Sequence, residues 1–366
     1  YEPIGKDLVD PLNQFDSYFI LPKILVIFDH LKREIEFLSF VRIEPKMDLK
    51  TIYFKEVKKI KSILKKINQP VKLSPLNFSS LENKKIKFKS NFKKSEFINI
   101  VKKAKQYIKE GEIIQVVLSQ RFSLEFKKDP FEVYRYLRIL NPSPYMFYLD
   151  FKDIKLAGSS PEMLLRCERR NLVTRPIAGT RKRGRDENED NELENSLLND
   201  PKEKAEHIML VDLARNDLGK VALKGSVKVP IFMSIEKFSH VMHIVSEVRA
   251  NLDKRKDIFS ALESCFPAGT VSGAPKVRAM QIINELEKEK RGIYAGCVGY
   301  FSFTNNLDTG IIIRTIVFKN NRAYIQAGAG IVNDSKPKKE FKETLNKAKA
   351  QILAVELAKQ KEEVLC

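Results

Sequence analysis

Strand-like segments that follow one another without intervening helices constrain the fold of this chain most strongly. Three of them lie in series at residues 295–303, 310–318 and 323–331, and a long helix is predicted over residues 338–361. Upstream, strands are predicted over residues 113–126, 146–151, 154–156, 163–167, 172–177 and 241–248, and helices over residues 57–67, 95–110, 191–199, 201–217, 256–264 and 275–288. Because strands and helices mix without regular βαβ alternation, the sequence predicts an α+β fold with large antiparallel β-sheets packed together and flanked by helices.

Composition narrows the class of protein. The 366 residues are 43% hydrophobic and 31% charged, which is typical of a soluble globular protein. No apolar run approaches the roughly 20 residues that span a bilayer, so no membrane partner is predicted. The four cysteines are scattered without a CxxC pair, which argues against a zinc site or a disulfide framework and favours a reducing, cytoplasmic setting.

The net charge of +19 raises the possibility of a basic nucleic-acid-binding protein. The excess is mostly diffuse Lys, concentrated between Lys50 and Lys109, and the aromatic residues there form no RNA-binding motif. Solvated Lys is therefore favoured over a nucleic-acid partner, and nucleic-acid binding stays a remote alternative.

Residues 322–344 combine a glycine-rich strand end with an acidic helix. Gly328-Ala329-Gly330 closes the strand, and Glu340 and Glu343 are spaced to share one helix face. Glycine lets backbone N–H groups approach an anion, and paired carboxylates suit Mg²⁺. The alternative is a β-turn followed by a solvated acidic helix face.

Four further residues admit two interpretations each. Arg314 lies in an apolar strand-like run, on a face with Ile312 and Ile316, and would need either a substrate carboxylate or a protein acid. Glu206 shares a helical stripe with apolar residues and is either an edge carboxylate or a metal ligand.

His243 lies in an apolar strand and is either a hydrogen-bonded core residue or an acid/base group. Glu162 follows Ser-Ser-Pro and is either a general acid or a turn residue. The run GTVSGAPK at residues 269–276 fails the Walker pattern and predicts a turn before a helix.

Eight stretches together resemble the chorismate-utilising enzyme family: AGSSPEMLLR (157–166), RPIAGTRKRG (175–184), AEHIMLVDLARNDLG (205–219), FSHVMHIVSEV (238–248), FPAGTVSGAPKVRAMQ (266–281), GIYAGCVGYFSF (292–303), IIIRT (311–315) and QAGAGIVNDSKPKKEFKETLNKA (326–348). The resemblance implies the family's sandwich fold. Residues 91–366 are expected to form the chorismate-binding catalytic domain. Residues 1–90 are expected to be the remnant of an N-terminal subdomain whose start is missing.

The resemblance also implies roles for the residues of a site. Glu206 and Glu343 would bind Mg²⁺, with Glu340 in the second shell. Glu162, His243 and Thr180 would be catalytic, Glu162 as the general acid. The residues expected to hold chorismate are Gly179, Thr180, Tyr294, Arg314, Gly328, Ala329 and Gly330.

Two positions separate the branches of the family. Gln115 stands where isochorismate-forming members carry a Lys base, which favours ammonia over water as nucleophile. Ala178 stands where aminodeoxychorismate synthases carry a nucleophilic Lys. The pattern is similar to the anthranilate synthase branch, which implies conversion of chorismate and ammonia to anthranilate and pyruvate in tryptophan biosynthesis. Aminodeoxychorismate or aminodeoxyisochorismate synthase is the alternative.

The same resemblance implies two partners besides chorismate. A separate glutamine amidotransferase subunit would supply ammonia, since no amidotransferase motif is present in the chain. Tryptophan would act as a feedback inhibitor, bound in part by Pro144, Tyr145 and Met146.

Overall fold

The computed structural model describes residues 2, 4, 7–71, 73, 75–78, 86–238 and 241–360. The chain divides into two compact units, one of Tyr1–Asp16 with Asn77–Lys361 and one of Ser17–Leu76 with Glu362–Cys366. The second unit contains the antiparallel hairpin of β1 (Ile24–Asp29) and β2 (Glu34–Ser39) and helix α1 (Leu49–Ile67). The domain boundary expected at residue 90 stays a prediction.

The larger unit is built on two seven-stranded antiparallel sheets. The first sheet has the order β10 (Lys228–Lys237), β11 (Val241–Asn251), β8 (Asn171–Thr174), β7 (Met163–Glu168), β14 (Leu307–Ile311) and β13 (Cys297–Phe301), with β9 (Ile177–Lys182) also on β11. The second has the order β12 (Gly273–Ala274), β4 (Gln115–Glu125), β16 (Arg322–Ile331), β15 (Thr315–Lys319), β6 (Lys155–Ser160) and β5 (Tyr145–Asp150), with β3 (Lys89–Ser90) also on β4.

The described residues of the larger unit form seven α-helices: α2 (Lys94–Lys109), α3 (Pro130–Leu140), α4 (Glu187–Leu198), α5 (Pro201–Gly219), α6 (Ile258–Cys265), α7 (Lys276–Leu286) and α8 (Pro337–Gln360). A 3₁₀ turn covers Gly269–Val271. Helix α5 begins where the Asp200 carboxylate accepts the N–H groups of Lys202 and Glu203. This cap fixes the start of the helix that carries Glu206.

Two apolar clusters join the helices to the sheets. In the first, Val211 of α5 and Ala261 of α6 pack against Leu165 and Val248 of the first sheet. In the second, residues of α2 and α7 pack against Leu118 and the residues around it on β4 and β16. This arrangement confirms the predicted α+β class.

The prediction of one strand over residues 310–318 is wrong. Strand β14 ends at Ile311 in the first sheet, and β15 begins at Thr315 in the second. Arg314 lies between them with φ of 52°, in the left-handed region that non-glycine residues rarely adopt. Because of this break, Arg314 does not share a strand face with Ile312 and Ile316. The apolar residues around Arg314 include no glycine or proline that would indicate the break in the sequence.

Several elements are absent from the prediction. Helix α3 and strand β10 are the longest of them, and Pro230 interrupts the strand pattern of β10. The charged segment 180–190, which shows no apolar periodicity, starts in β9 and ends in the first turn of α4.

Candidate active site

The glycine-rich end of β16 presents a free backbone edge. The register sets Gly328 opposite Ser119 and Gly330 opposite Val117, and both β4 residues donate their N–H groups to acceptors outside β16. Gly328 and Gly330 therefore exchange no ladder bonds with β4 and point their N–H and C=O groups the other way. Because the pairing of β15 with β16 stops at Ile325, the neighbouring strand does not cover them.

The glycine edge already contacts two side chains. The Tyr294 hydroxyl bonds the Gly328 N–H, and the Lys347 ammonium donates to the Gly328 carbonyl at 3.1 Å. Ala329 alternates the other way and faces Leu118 within the ladder. The β-turn alternative is thus wrong, because β16 continues through both glycines to Ile331.

Gln115 connects the glycine edge to helix α5. Its Nε2 donates to Oε1 of Glu206 at 3.0 Å, and its Oε1 is buried without a hydrogen-bond partner. A Cβ on Gly330 would lie 2.6 Å from the Gln115 Nε2 and 3.9 Å from the Glu206 carboxylate. Glycine at position 330 therefore leaves the space in which Gln115 and Glu206 meet.

Three carboxylates near the starts of α5 and α8 are candidate metal ligands and are called the acidic group: Glu206 on α5, and Glu340 and Glu343 on α8. Burial raises the pKa of Glu206 and of Glu340, and the neighbouring Glu343 raises that of Glu340 further. The Lys202 ammonium lowers the pKa of both Glu206 and Glu340. One ammonium that acts on both carboxylates indicates that α5 and α8 bring these acids into the same region. A divalent cation would relieve the same buried negative charge, and the donor chemistry suits Mg²⁺.

Among the described residues no three His, Cys, Asp or Glu side chains form a complete metal centre. A cation held by two of these carboxylates would take its remaining oxygens from water and substrate, as Mg²⁺ commonly does. The residues present therefore fit an ion shared with a substrate better than a closed structural site.

Lys347 is the residue of this site that the sequence analysis missed. It lies one helical turn after Glu343 and pairs with that carboxylate at 2.7 Å. Its charge also lowers the pKa of Glu162 and Glu206. The i, i+4 spacing from Glu343 was the available signal, since it puts both side chains on one helix face.

Glu162 has the strongest perturbation among the predicted acids. It is 8% exposed, and burial raises its pKa to about 7, although the Thr270 hydroxyl and Lys347 act to lower it. A carboxyl with such a pKa carries a proton at neutral pH and can donate it. This chemistry fits the general acid implied by the sequence.

His243 and Thr180 meet across β11 and β9. The His243 Nδ1 lies 2.8 Å from the Gly179 carbonyl and 3.1 Å from the Thr180 hydroxyl. A carbonyl can only accept, so Nδ1 carries the proton and Nε2 keeps its lone pair. Burial lowers the pKa of His243, and the Arg314 charge lowers it further, which keeps the ring neutral.

Arg314 and Tyr294 close the site. Burial lowers the pKa of Arg314, while Tyr294 and Glu343 act to raise it. The guanidinium donates to the Lys347 carbonyl, and the Arg314 carbonyl accepts from the side chain of Gln351 at 3.4 Å. Burial raises the pKa of Tyr294 to about 12, so its hydroxyl stays protonated.

The residues predicted to bind tryptophan lie elsewhere, at the β5 edge of the second sheet. Tyr145 donates its hydroxyl to Asp308 of the first sheet at 2.8 Å, and Asp308 is also paired with Arg166. Met146 pairs with Ser159 across the β5–β6 hairpin. The Tyr145–Asp308 hydrogen bond links the two sheets. The hydrogen bonds of Tyr145 and Asp308 do not reach the glycine edge.

Both sheets and two helices thus contribute to one site with a glycine backbone edge, buried acids, a neutral imidazole and two cationic side chains. Such a set defines an enzyme site for a small anionic substrate. Residues 4–353 match the chorismate binding enzymes, and the chain belongs to this family.

Comparison with known proteins identifies similar sequences and structures. The chain is 52% identical to anthranilate synthase component 1 of Aquifex aeolicus, over 99% of this chain and 73% of that protein. The protein of the same name from Acetivibrio thermocellus is 48% identical, over 98% and 73%. The crystal structure of anthranilate synthase component I from Streptococcus pneumoniae matches with a TM-score of 0.85 and 41% identity, over 96% of this chain and 77% of that chain.

A more distant relative shares the fold. MenF, the menaquinone-specific isochorismate synthase from Escherichia coli, matches with a TM-score of 0.71 and 26% identity, over 82% of this chain and 69% of that chain. The family therefore includes members of different chemistry, and the residues of the site must decide between them. No helix in the described part of the chain is long and apolar enough to cross a membrane.

Proposed function

We propose that this chain is the large subunit of an anthranilate synthase, which converts chorismate and ammonia to anthranilate and pyruvate. The observation that carries the proposal is the side chain of Gln115, whose Nε2 donates to Glu206. An amide cannot deprotonate water, so the site favours ammonia, which needs no base to attack. Ala178 on β9 supports the proposal, because it offers no amine to act as the covalent nucleophile through which C4 would be aminated.

The chain's own side chains account for the steps. Glu162, protonated near neutral pH, gives its proton to the C4 hydroxyl, which leaves as water while ammonia adds at C2. The added nitrogen then loses its extra proton to the Glu162 carboxylate, which restores the acid. In the second step the C2 proton is removed, the C3–O bond breaks and the ring becomes aromatic. The enolpyruvate that leaves takes up a proton on its methylene carbon and is released as pyruvate. His243, neutral and with Nε2 free, is the group we assign to accept the C2 proton.

The substrate is held by the groups around these acids and bases. Arg314, the Tyr294 hydroxyl and the N–H groups of Gly328 and Gly330 would bind its carboxylates, with Gly179 and Thr180 beside His243. Ala329 lies in the strand between the two glycines and would help to shape the surface that the substrate contacts. Glu206 and Glu343 would hold Mg²⁺, with Glu340 behind them, and a bound Mg²⁺ would supply positive charge for the ring carboxylate.

Partners and setting follow from the same proposal. The names of the relatives imply a second component, and we assign it as a glutamine amidotransferase that supplies ammonia. Tryptophan is proposed as the feedback inhibitor, with Pro144, Tyr145 and Met146 in its site. Cys167, Cys265 and Cys297 are free thiols, which agrees with a reducing cytoplasm.

The test is product analysis with purified protein, chorismate, ammonium and Mg²⁺. Anthranilate, detected by its fluorescence, should form together with pyruvate, and chelation of Mg²⁺ should stop the reaction. Accumulation of 4-amino-4-deoxychorismate or of the aminated, non-aromatic intermediate would instead support the alternative synthases. The same reaction with tryptophan added tests the feedback site.

A further inference from the structure

Arg291 lies behind the site and joins three separate elements with one guanidinium. Nε and Nη2 donate to the two carboxylate oxygens of Glu287, just after α7, at 3.0 and 2.7 Å. Nη1 donates to the carbonyl of Val271 in the 3₁₀ turn at 2.7 Å, and Nη2 also donates to the carbonyl of Val117 in β4 at 2.6 Å. All three guanidinium nitrogens therefore have acceptors.

Each element tied by Arg291 carries a part of the site. Val271 precedes Ser272, whose carbonyl accepts the N–H of Val117 on β4, the strand that carries Gln115. Val117 faces Gly328 so closely that a Cβ on that glycine would lie 2.9 Å from it. The guanidinium also lies 5.6 Å from the centroid of the Tyr294 ring. Tyr294 is the residue whose hydroxyl accepts the Gly328 N–H.

Glu287, the partner of Arg291, also has hydrogen-bond donors other than the guanidinium. Glu287 is 5% exposed and accepts the N–H and the hydroxyl of Ser119 at 2.8 and 2.9 Å. Burying an Arg–Glu pair costs desolvation, and apolar replacements are often as stable. Fold stability alone therefore does not account for a guanidinium here, whereas its three-way geometry fixes the distances between elements of the site.

We propose that Arg291 is a positioning residue for the reaction, which holds the 3₁₀ turn against β4 and aligns the Tyr294–Gly328 contact at the glycine edge. The inference rests on the proposed function for its chemical meaning. A Lys at this position keeps the charge but cannot serve three acceptors in a fixed fork.

The experiment compares Arg291→Lys with a matched control, Arg121→Lys. Arg121 is also buried and paired with a glutamate, Glu289, but it bonds none of the site carbonyls. Arg291→Lys should lower kcat by about 10-fold or more, with KM for chorismate changed less than about threefold. Arg121→Lys should leave both unchanged.

A kcat of Arg291→Lys equal to that of the unaltered protein would overturn the proposal, and so would an equal loss in Arg121→Lys. Hydrogen–deuterium exchange provides a readout that needs no turnover. Arg291→Lys should exchange faster than both other proteins in peptides covering residues 269–272 and 328–331. Equal exchange would refute the positioning role, whereas absence of anthranilate from the unaltered protein would refute the proposed function alone.

Discussion

At the scale of single residues, the site depends on groups whose protonation differs from that in water. Burial raises the pKa of Glu162 to about 7, and burial keeps the imidazole of His243 on β11 neutral. The sequence suggested both residues, because each is a polar group in an otherwise apolar context. It could not supply their pKa values, since these depend on Thr270, Lys347 and Arg314, which lie far away in the chain.

The first prediction concerns pH. At constant free ammonia, kcat should fall as pH rises through about 7, because Glu162 loses the proton that it donates. Glu162→Gln should lower kcat by about 100-fold or more and remove this decline.

The stability of the unaltered protein should also fall as pH rises. A carboxyl whose pKa is raised on folding contributes stability below its unfolded pKa, and this contribution is lost as pH rises through about 7. Thermal melts should therefore show Glu162→Gln more stable than the unaltered protein at pH 8 and no more stable at pH 5. A kcat profile that stays flat through pH 7 in the unaltered protein would contradict the assignment of Glu162.

The second prediction concerns the acidic group. Glu343→Gln should reduce turnover by about 100-fold or more and leave the melting temperature unchanged, because the side chain is 44% exposed and lies outside the core. Glu356→Gln on the same helix, where the carboxylate pairs with Lys359, is the control and should retain activity. Unchanged activity in Glu343→Gln would refute the metal assignment.

At the scale of elements, most of the sheet and helix positions could be predicted from periodicity. The predicted helix over residues 95–110 is α2, and the predicted hairpin over residues 146–156 is β5 with β6. The break at Arg314 could not be predicted, because it depends on the transfer of the chain between two sheets. The open edge of β16 was likewise hidden, since it arises where β15 stops.

The third prediction concerns this edge. Gly330→Ala would place a methyl group 2.6 Å from the Gln115 Nε2, and the flexible amide would move and release Glu206. Activity should fall by about 10-fold or more with the fold retained, because only a side-chain end is displaced. The control is Gly219→Ala at the end of α5, where a Cβ meets nothing within 4 Å. Equal activities of the two variants would show that this contact is not needed.

At the scale of the whole molecule, the two sheets meet at the site and again at the Tyr145–Asp308 hydrogen bond. The α+β class followed from the order of strands and helices. That order carries no information on how the two sheets pack against each other. Gly310 shows why, since it leaves room for the Tyr145 ring, whose nearest atom would lie 2.7 Å from a Cβ there. A close approach of this kind becomes visible only in three dimensions.

The fourth prediction tests this link. Tyr145→Phe should destabilise the fold by about 1 kcal/mol through loss of one hydrogen bond, while Asp308 keeps its ion pair with Arg166. Tyr148→Phe on the same strand is the control and should have a smaller effect. If tryptophan binds beside Tyr145, the first variant should also require more inhibitor for half-inhibition than the second. Equal stability and equal inhibition in both variants would remove Tyr145 from both roles.

The central claim is that a carboxylate-rich site with Gln115 in place of a base uses ammonia and not water. The most direct measurement is the product formed from chorismate and Mg²⁺ with and without ammonium, resolved by chromatography. The account predicts anthranilate and pyruvate in equal amounts when ammonium is present, and unchanged chorismate when it is absent. Isochorismate or salicylate formed without ammonium would contradict it.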